Sequence, residues 1–245
     1  QALLEKWRGH AARREASDVR PDALKMTMQL TLKNLFHAEV AELKDLVECW
    51  QDIYEFMSQN RFAPVHLPPW VPTPRRRRFA EARAVVDRVL YRLIAEARAR
   101  GEDDGSMLST LIAAKDADTG ETMNDTQVRD ELMILFVGGY ETSSNALAFT
   151  FGLLAQHPHL ARRLQAELDT QLLGRPPAME DLQRLPYVRM LLDESLRLYP
   201  PSWCVSREAI GPDVIGGFEI PPGAQVIIGT YATHHDPRLW ADPEV

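Results

Sequence analysis

Cysteine is scarce: only Cys49 and Cys204 occur in 245 residues. That number excludes a disulfide-stapled scaffold and fits a reducing compartment. Long apolar runs are missing too. None approaches the roughly 20 residues a membrane-spanning helix needs, and no signal peptide is recognisable. Positive charge is not in excess; a formal charge of −7 argues against a nucleic-acid partner. No repeat or low-complexity tract is present, so neither a solenoid nor a disordered tail is indicated. What the chain does have is 45% hydrophobic residues over a length ample for a globular core.

The most informative stretch is a helical run from Asn124 to Gln156. About 33 residues would make a helix of about 50 Å, longer than most in globular proteins. Asn124, three residues before Gln127, reads as an amide version of a capping box, and Pro158 ends the run by biasing His157 away from helical geometry. Leu132, Leu135, Phe136, Ala146, Phe149, Leu153 and Leu154 are too widely distributed for one stripe, which predicts burial nearly all round. In the middle lies Gly138-Gly139-Tyr140-Glu141-Thr142-Ser143-Ser144. Two adjacent glycines cost roughly 1 kcal/mol each against alanine and open a side-chain-free surface. The Thr142 hydroxyl competes for the Gly138 carbonyl, inviting a bend or an inserted water. Flat surface, hydroxyl and the Glu141 acid together suit a planar group that must be approached closely and supplied with protons. The alternative is a Gly-Gly packing notch with solvated polar neighbours.

A second helix spans Tyr187 to Tyr199, with Val188, Leu191, Leu192 and Leu196 at helical spacing. Glu194 and Arg197, three residues apart, share one of its faces and can pair. Pro200-Pro201, Arg207 and a hairpin-like strand region follow.

In that order, Gly138 to Ser143 resembles the oxygen-binding motif in the long central helix of the cytochromes P-450, the haem-thiolate monooxygenases. Glu194-Ser195-Leu196-Arg197 is similar to their Glu-x-x-Arg helix. Gly217, Ile220-Pro221-Pro222-Gly223, His234-His235-Asp236-Pro237 and Trp240-Ala241-Asp242-Pro243-Glu244 resemble the strands and turn that follow it. The likeness is collinear from about Leu67 to Val245. It implies a mainly α fold with a small β region, a partial P-450 fold built round one central helix. The family's haem-ligand cysteine sits in a glycine-containing loop, which surrounds neither Cys49 nor Cys204; both read as ordinary half-buried thiols. No metal ligand is therefore assigned, and the resemblance implies an interior fragment of a longer polypeptide, inactive by itself.

The chain is read as part of one catalytic domain, 1–245. Residues 1–60 form scaffold helices, with Leu3, Leu4, Trp7 and Ala11 on one amphipathic face and Leu30, Leu32, Leu35 and Phe36 on another. Residues 61–78 form a Pro-rich loop: Pro64, Pro68, Pro69, Pro72 and Pro74 surround Trp70 and forbid a regular helix there. Arg75 to Arg78 read as a solvated helix start or, less directly, as a contact for an acidic partner or surface. Residues 79–200 form the helical core, in which Phe79, Ala82, Val86, Val89, Leu93 and Ala97 share a face. Residues 201–245 form the β region, with strands at 203–208, 214–220 and 225–230 and a Gly216-Gly217 turn.

The resemblance implies a haem cofactor, dioxygen as co-substrate and electrons drawn ultimately from NAD(P)H. By the same resemblance Gly138 and Gly139 would line the oxygen pocket, Thr142 would hold hydrogen bonds to dioxygen or its water, and Glu141 would feed a proton relay. Arg207 pairs with a haem propionate, and His234 has a comparable cofactor-side reading against a surface one. Glu194 and Arg197 are structural. Implied partners are a hydrophobic small-molecule substrate and a ferredoxin- or flavoprotein-type reductase. The location is read as cytoplasmic, with membrane association open. Two other readings are a haem-fold peroxide isomerase working without electrons and a non-enzymatic helical interaction protein.

Overall fold

A computed structural model describes residues 2–37, 44–61, 68, 70–101 and 103–244. It is mainly helical with two small sheets, as expected. The chain forms two compact units, Gln1–Lys25 with Glu141–Val245 and Met26–Tyr140. The chain passes between them within helices α2 (Arg20–Phe36) and α6 (Asp125–Gln156).

In the 26–140 unit, α3 (Lys44–Arg61) packs on α4 (Pro74–Arg100). The α4 stripe is Ala82, Val86, Leu90, Ile94 and Ala97, so its centre is Leu90 and Ile94 rather than Val89 and Leu93. Helix α4 starts within the segment expected to be a Pro-rich loop. Proline at the first helical position has a suitable φ and lacks an N–H that would be unpaired anyway. The Thr73 hydroxyl then accepts the Arg76 N–H at 3.2 Å. The four arginines therefore fill the first turn, without an acid there to match the helix dipole. Arg76 turns back to the carbonyls of Pro68 and Val71, and Arg77 pairs with Glu81 at 2.9 Å. Of the expected loop, residues 62–67 and 69 lie outside the described residues, as do Val40 and Leu43 of the expected scaffold helices. Gly101 closes α4 with φ 64°. Beyond it Ser106 caps α5 (Met107–Ala113) through the Ser109 N–H at 3.1 Å.

The expected capping box opens α6: the Asn124 N–H donates to Gln127 Oε1 at 2.9 Å, and the Gln127 N–H to Asn124 Oδ1 at 3.0 Å. The helix runs unbroken for 32 residues. It is not buried all round. Val128, Leu132, Phe136, Tyr140 and Ser144 form one fully buried i, i+4 stripe, while Ile134, Gly138, Phe149 and Phe151 are exposed. In the 26–140 unit the stripe meets Trp50 of α3, edge-on to Phe136 at 4.9 Å and to Tyr140 at 6.3 Å.

In the other unit, Asp22 at the start of α2 accepts from Lys6 and Trp7 of α1 (Ala2–Arg13). The Trp7 ring meets Phe151 of α6 edge-on at 5.4 Å. His157 leaves helical geometry and Pro158 starts α7 (Pro158–Leu172), as read from the sequence. A 3-10 turn, Met179–Arg184, leads to α8 (Pro186–Leu198). The Glu167 carboxylate caps α8 by accepting the Tyr187 and Val188 N–H groups at 2.9 and 3.1 Å.

Strand β1 (Val205–Glu208) pairs antiparallel with β4 (Gln225–Ile228), Val205 opposite Ile228. Between them β2 (Asp213–Ile215) and β3 (Phe218–Ile220) form a hairpin on Gly216 and Gly217. Their φ values of 59° and 86° are those a two-residue hairpin turn demands. The third expected strand stops at Ile228. Thr230–His234 is instead a short helix, α9, in which the Thr233 hydroxyl donates to the Gly229 carbonyl.

Candidate active site

The central motif lies on α6, where helical spacing brings Gly138 and Thr142 one turn apart on one face. The two glycines have different surroundings. Gly138 is exposed, and a Cβ placed on it would meet none of the described residues within 4 Å. A Cβ on Gly139 would lie 3.1 Å from both Cγ2 and Oγ1 of Thr31 in α2. Tyr140 is buried in the stripe, whereas Glu141 and Thr142 are half-buried. Ser144 is fully buried and its hydroxyl donates to the Glu141 carbonyl at 2.8 Å. This i−3 back-bond comes from a residue to which the sequence reading gave no role; its signal is a serine in register with the buried stripe.

A hydroxyl pair joins α6 to the Glu-x-x-Arg helix. Thr150 donates to the Ala146 carbonyl at 2.7 Å and lies 2.8 Å from the buried Ser195 hydroxyl of α8. Two residues further along α8, Arg197 makes a two-point pair with Glu194, Nε to Oε2 at 2.8 Å and Nη2 to Oε1 at 2.6 Å. The pair raises the Arg197 pKa above its ordinary value. Its remaining nitrogen donates to the carbonyls of His234 at 3.1 Å and Pro243 at 2.8 Å. The Trp240 ring stands 5.3 Å from the guanidinium carbon. His234 joins this cluster through Nδ1, 3.1 Å from the Arg197 carbonyl oxygen. The sequence reading carried no role for Ser195, Thr150 or Trp240, since the contacts between elements that they make, Thr150 with Ser195 and Trp240 with Arg197, lie 45 and 43 residues apart along the chain.

Arg207 stands exposed on β1, its Nη1 donating to the Ser206 carbonyl at 2.9 Å. Both cysteines are free and half-buried, in α3 and just before β1. Among the described residues no cluster of His, Cys, Asp and Glu could hold a metal ion, and no helix is long and apolar enough to cross a membrane.

Taken one at a time, these groups have the chemistry that a haem asks for. Gly138 leaves a side-chain-free stretch of α6 with room for a flat group, Glu141 and Thr142 carry an acid and a hydroxyl further along the same helix, and on β1, in the unit other than that of Gly138, the Arg207 guanidinium has the fork geometry that suits a carboxylate.

The family model described as Cytochrome P450 matches residues 1–245. Cyclooctat-9-en-7-ol 5-monooxygenase of Streptomyces melanosporofaciens is 36% identical over 89% of this chain and 48% of its own length. Cyclooctatin synthase of the same organism is 33% identical over 94% of this chain and 51% of its length. The crystal structure of the cytochrome P450DA heme domain superposes with a TM-score of 0.81 at 27% identity, covering 94% of this chain and 50% of that one. The chain thus spans about half the length of the curated relatives it matches.

Proposed function

Because the chain belongs to the cytochrome P450 family, we propose that it is part of a single haem-thiolate catalytic domain that inserts one atom of dioxygen into a hydrophobic organic substrate. The bound haem supplies dioxygen activation, assisted by electron donation from a thiolate. Gly138 keeps the α6 surface clear for the ring and for dioxygen. The Thr142 hydroxyl, one turn on, holds a hydrogen bond to dioxygen or to a water beside it. Glu141 passes protons inward from solvent through water, a task that asks for reach and half-exposure more than for a shifted pKa. Arg207 takes a propionate. Glu194 and Arg197 hold α8 against the His234–Pro243 segment. Two electrons come ultimately from NAD(P)H through a ferredoxin- or flavoprotein-type partner, and the setting is cytoplasmic. The relative named for oxygenating cyclooctat-9-en-7-ol supports a hydrocarbon-rich small molecule as the substrate class.

The observation that carries this reading is the exposed, side-chain-free Gly138 one helical turn from a half-buried Thr142. The test is electron-donor-dependent oxygenation by the full-length protein under isotopically labelled dioxygen. One labelled atom in the product, with no turnover when the donor is withheld, is expected. Donor-independent rearrangement of a peroxide substrate would overturn it.

A further inference from the structure

We propose that Gly139 is a positioning residue: it seats Thr31 of α2 against α6 and so fixes the setting of the surface that Gly138 leaves open. What that surface holds rests on the haem reading above. The contact itself does not.

The two glycines invite a single explanation from the sequence, yet the structure separates them. At Gly138 an added methyl meets none of the described residues within 4 Å, while at Gly139 it lies 3.1 Å from Thr31 Cγ2, 3.1 Å from Oγ1 and 3.7 Å from Cβ. Contacts between non-bonded carbons are ordinarily about 3.5–4.0 Å. Threonine is branched at Cβ, so a χ1 rotation that moves one branch away brings another substituent round. Helix α2 has little room to yield. Leu32, next to Thr31, is fully buried, and Thr27 and Leu35, one turn to either side, are nearly so. A methyl at 139 is therefore relieved by moving α2 and α6 apart as rigid bodies. Residue 138 adjoins the displaced backbone and has no side chain to absorb the shift, which passes directly to the open face.

Helix propensity makes this decidable. Alanine is the better helix former at both positions, so propensity alone predicts that Gly138→Ala and Gly139→Ala raise the melting temperature together. The Thr31 contact predicts opposite signs. The full-length holoprotein would carry G138A, G139A, T31A, G138A/T31A and G139A/T31A. Each would be measured by circular-dichroism melting and by spectral titration of the ferric haem with imidazole as a distal probe.

G138A is expected to keep or raise the melting midpoint, and G139A to lower it by roughly 2–8 °C. Imidazole binding weakens in both, roughly tenfold in G139A. Removing both Thr31 branches restores midpoint and imidazole affinity to G139A but leaves G138A/T31A as weak as G138A. If G139A yields no soluble protein, soluble G139A/T31A is the same rescue, and its insolubility overturns the proposal. Midpoints shifting in one direction for both glycines, or no rescue by T31A, overturn the contact. A midpoint that falls and recovers while imidazole affinity never changes overturns the positioning role. If the unsubstituted protein binds no haem, the haem reading fails and the positioning role with it. The melting cycle still decides whether Gly139 seats Thr31.

Discussion

Thr142 has a hydroxyl on a half-buried turn of α6, next to the half-buried Glu141. If its task is to hold a proton-carrying water beside dioxygen, loss of the oxygen atom matters more than loss of the methyl. Thr142→Ala in the full-length enzyme is then expected to divert electrons to hydrogen peroxide and lower substrate oxygenation by roughly a hundredfold, while Thr142→Ser keeps most of it. Peroxide and product measured per electron consumed check this; equal coupling in the two variants would contradict it. Arg207 makes a separate claim. Its exposed fork is suited to two-point binding of a carboxylate, so Arg207→Lys is expected to retain haem less well than arginine and better than Arg207→Ala. Haem retention on dilution reads it.

Among the elements, α8 is tied to the 234–243 segment through one buried guanidinium. Arg197 is buried, but Glu194 is about half exposed, with 47% of its side chain accessible, so the pair is partly screened. Arg197 also satisfies two main-chain carbonyls that lose their partner in Arg197→Ala. A loss of about 2–4 kcal/mol is expected from chemical unfolding, and Glu194→Gln should cost less.

Two carboxylates tie turns to helices in the same way. Asp181 is buried between Arg175 and Arg184 and also accepts the Ala178 N–H, and the Arg175 hydrogen bonds above all hold its pKa well below the ordinary 3.8. Hydrogen bonds from Ser106 hold Asp104 at about 2. Because both folded-state values are depressed, these contributions are present well above the ordinary 3.8 and are lost as pH falls through the folded values, about 2 for Asp104 and lower for Asp181. Melting temperatures between pH 5 and pH 2 are expected to fall less steeply in Asp181→Asn than in the parent; parallel curves would contradict the assignment.

Local signals made much of this level legible. Asn124 with Gln127, Pro158, Gly101 and Gly216-Gly217 each fix an element end through neighbours a few residues away, and the structure uses all of them. What stayed hidden depends on distant partners. Tyr187 and Val188 take their cap from Glu167, Ser195 its partner from Thr150, and Gly139 its neighbour Thr31 from α2. The spread of apolar residues along α6 suggested burial all round because composition does not say which faces are covered. The buried face is a single i, i+4 row. The reading of Arg75 to Arg78 as a helix start agrees with α4, which begins one residue earlier at Pro74, because proline is a breaker inside a helix but a good first residue of one.

At the scale of the whole molecule, apolar surface stands open in both units. Ile134 on α6 is 63% exposed, Phe218 on β3 75% and Ile227 on β4 66%. Uncovered aliphatic and aromatic surface of this kind is costly in water. Residues 1–245 expressed alone are therefore expected to bind a hydrophobic fluorophore strongly, unfold over a broad temperature range and hold haem weakly. A sharp cooperative transition would contradict that.

The account as a whole turns on whether the full-length protein carries haem on a thiolate, with the α6 face of Gly138 and Thr142 over it. The measurement that tests this most directly is the absorption spectrum of the reduced full-length protein under carbon monoxide. The account predicts the strongly red-shifted Soret band of thiolate-ligated ferrous haem. A protein without haem, or one whose carbon-monoxide band is that of histidine ligation, would contradict it.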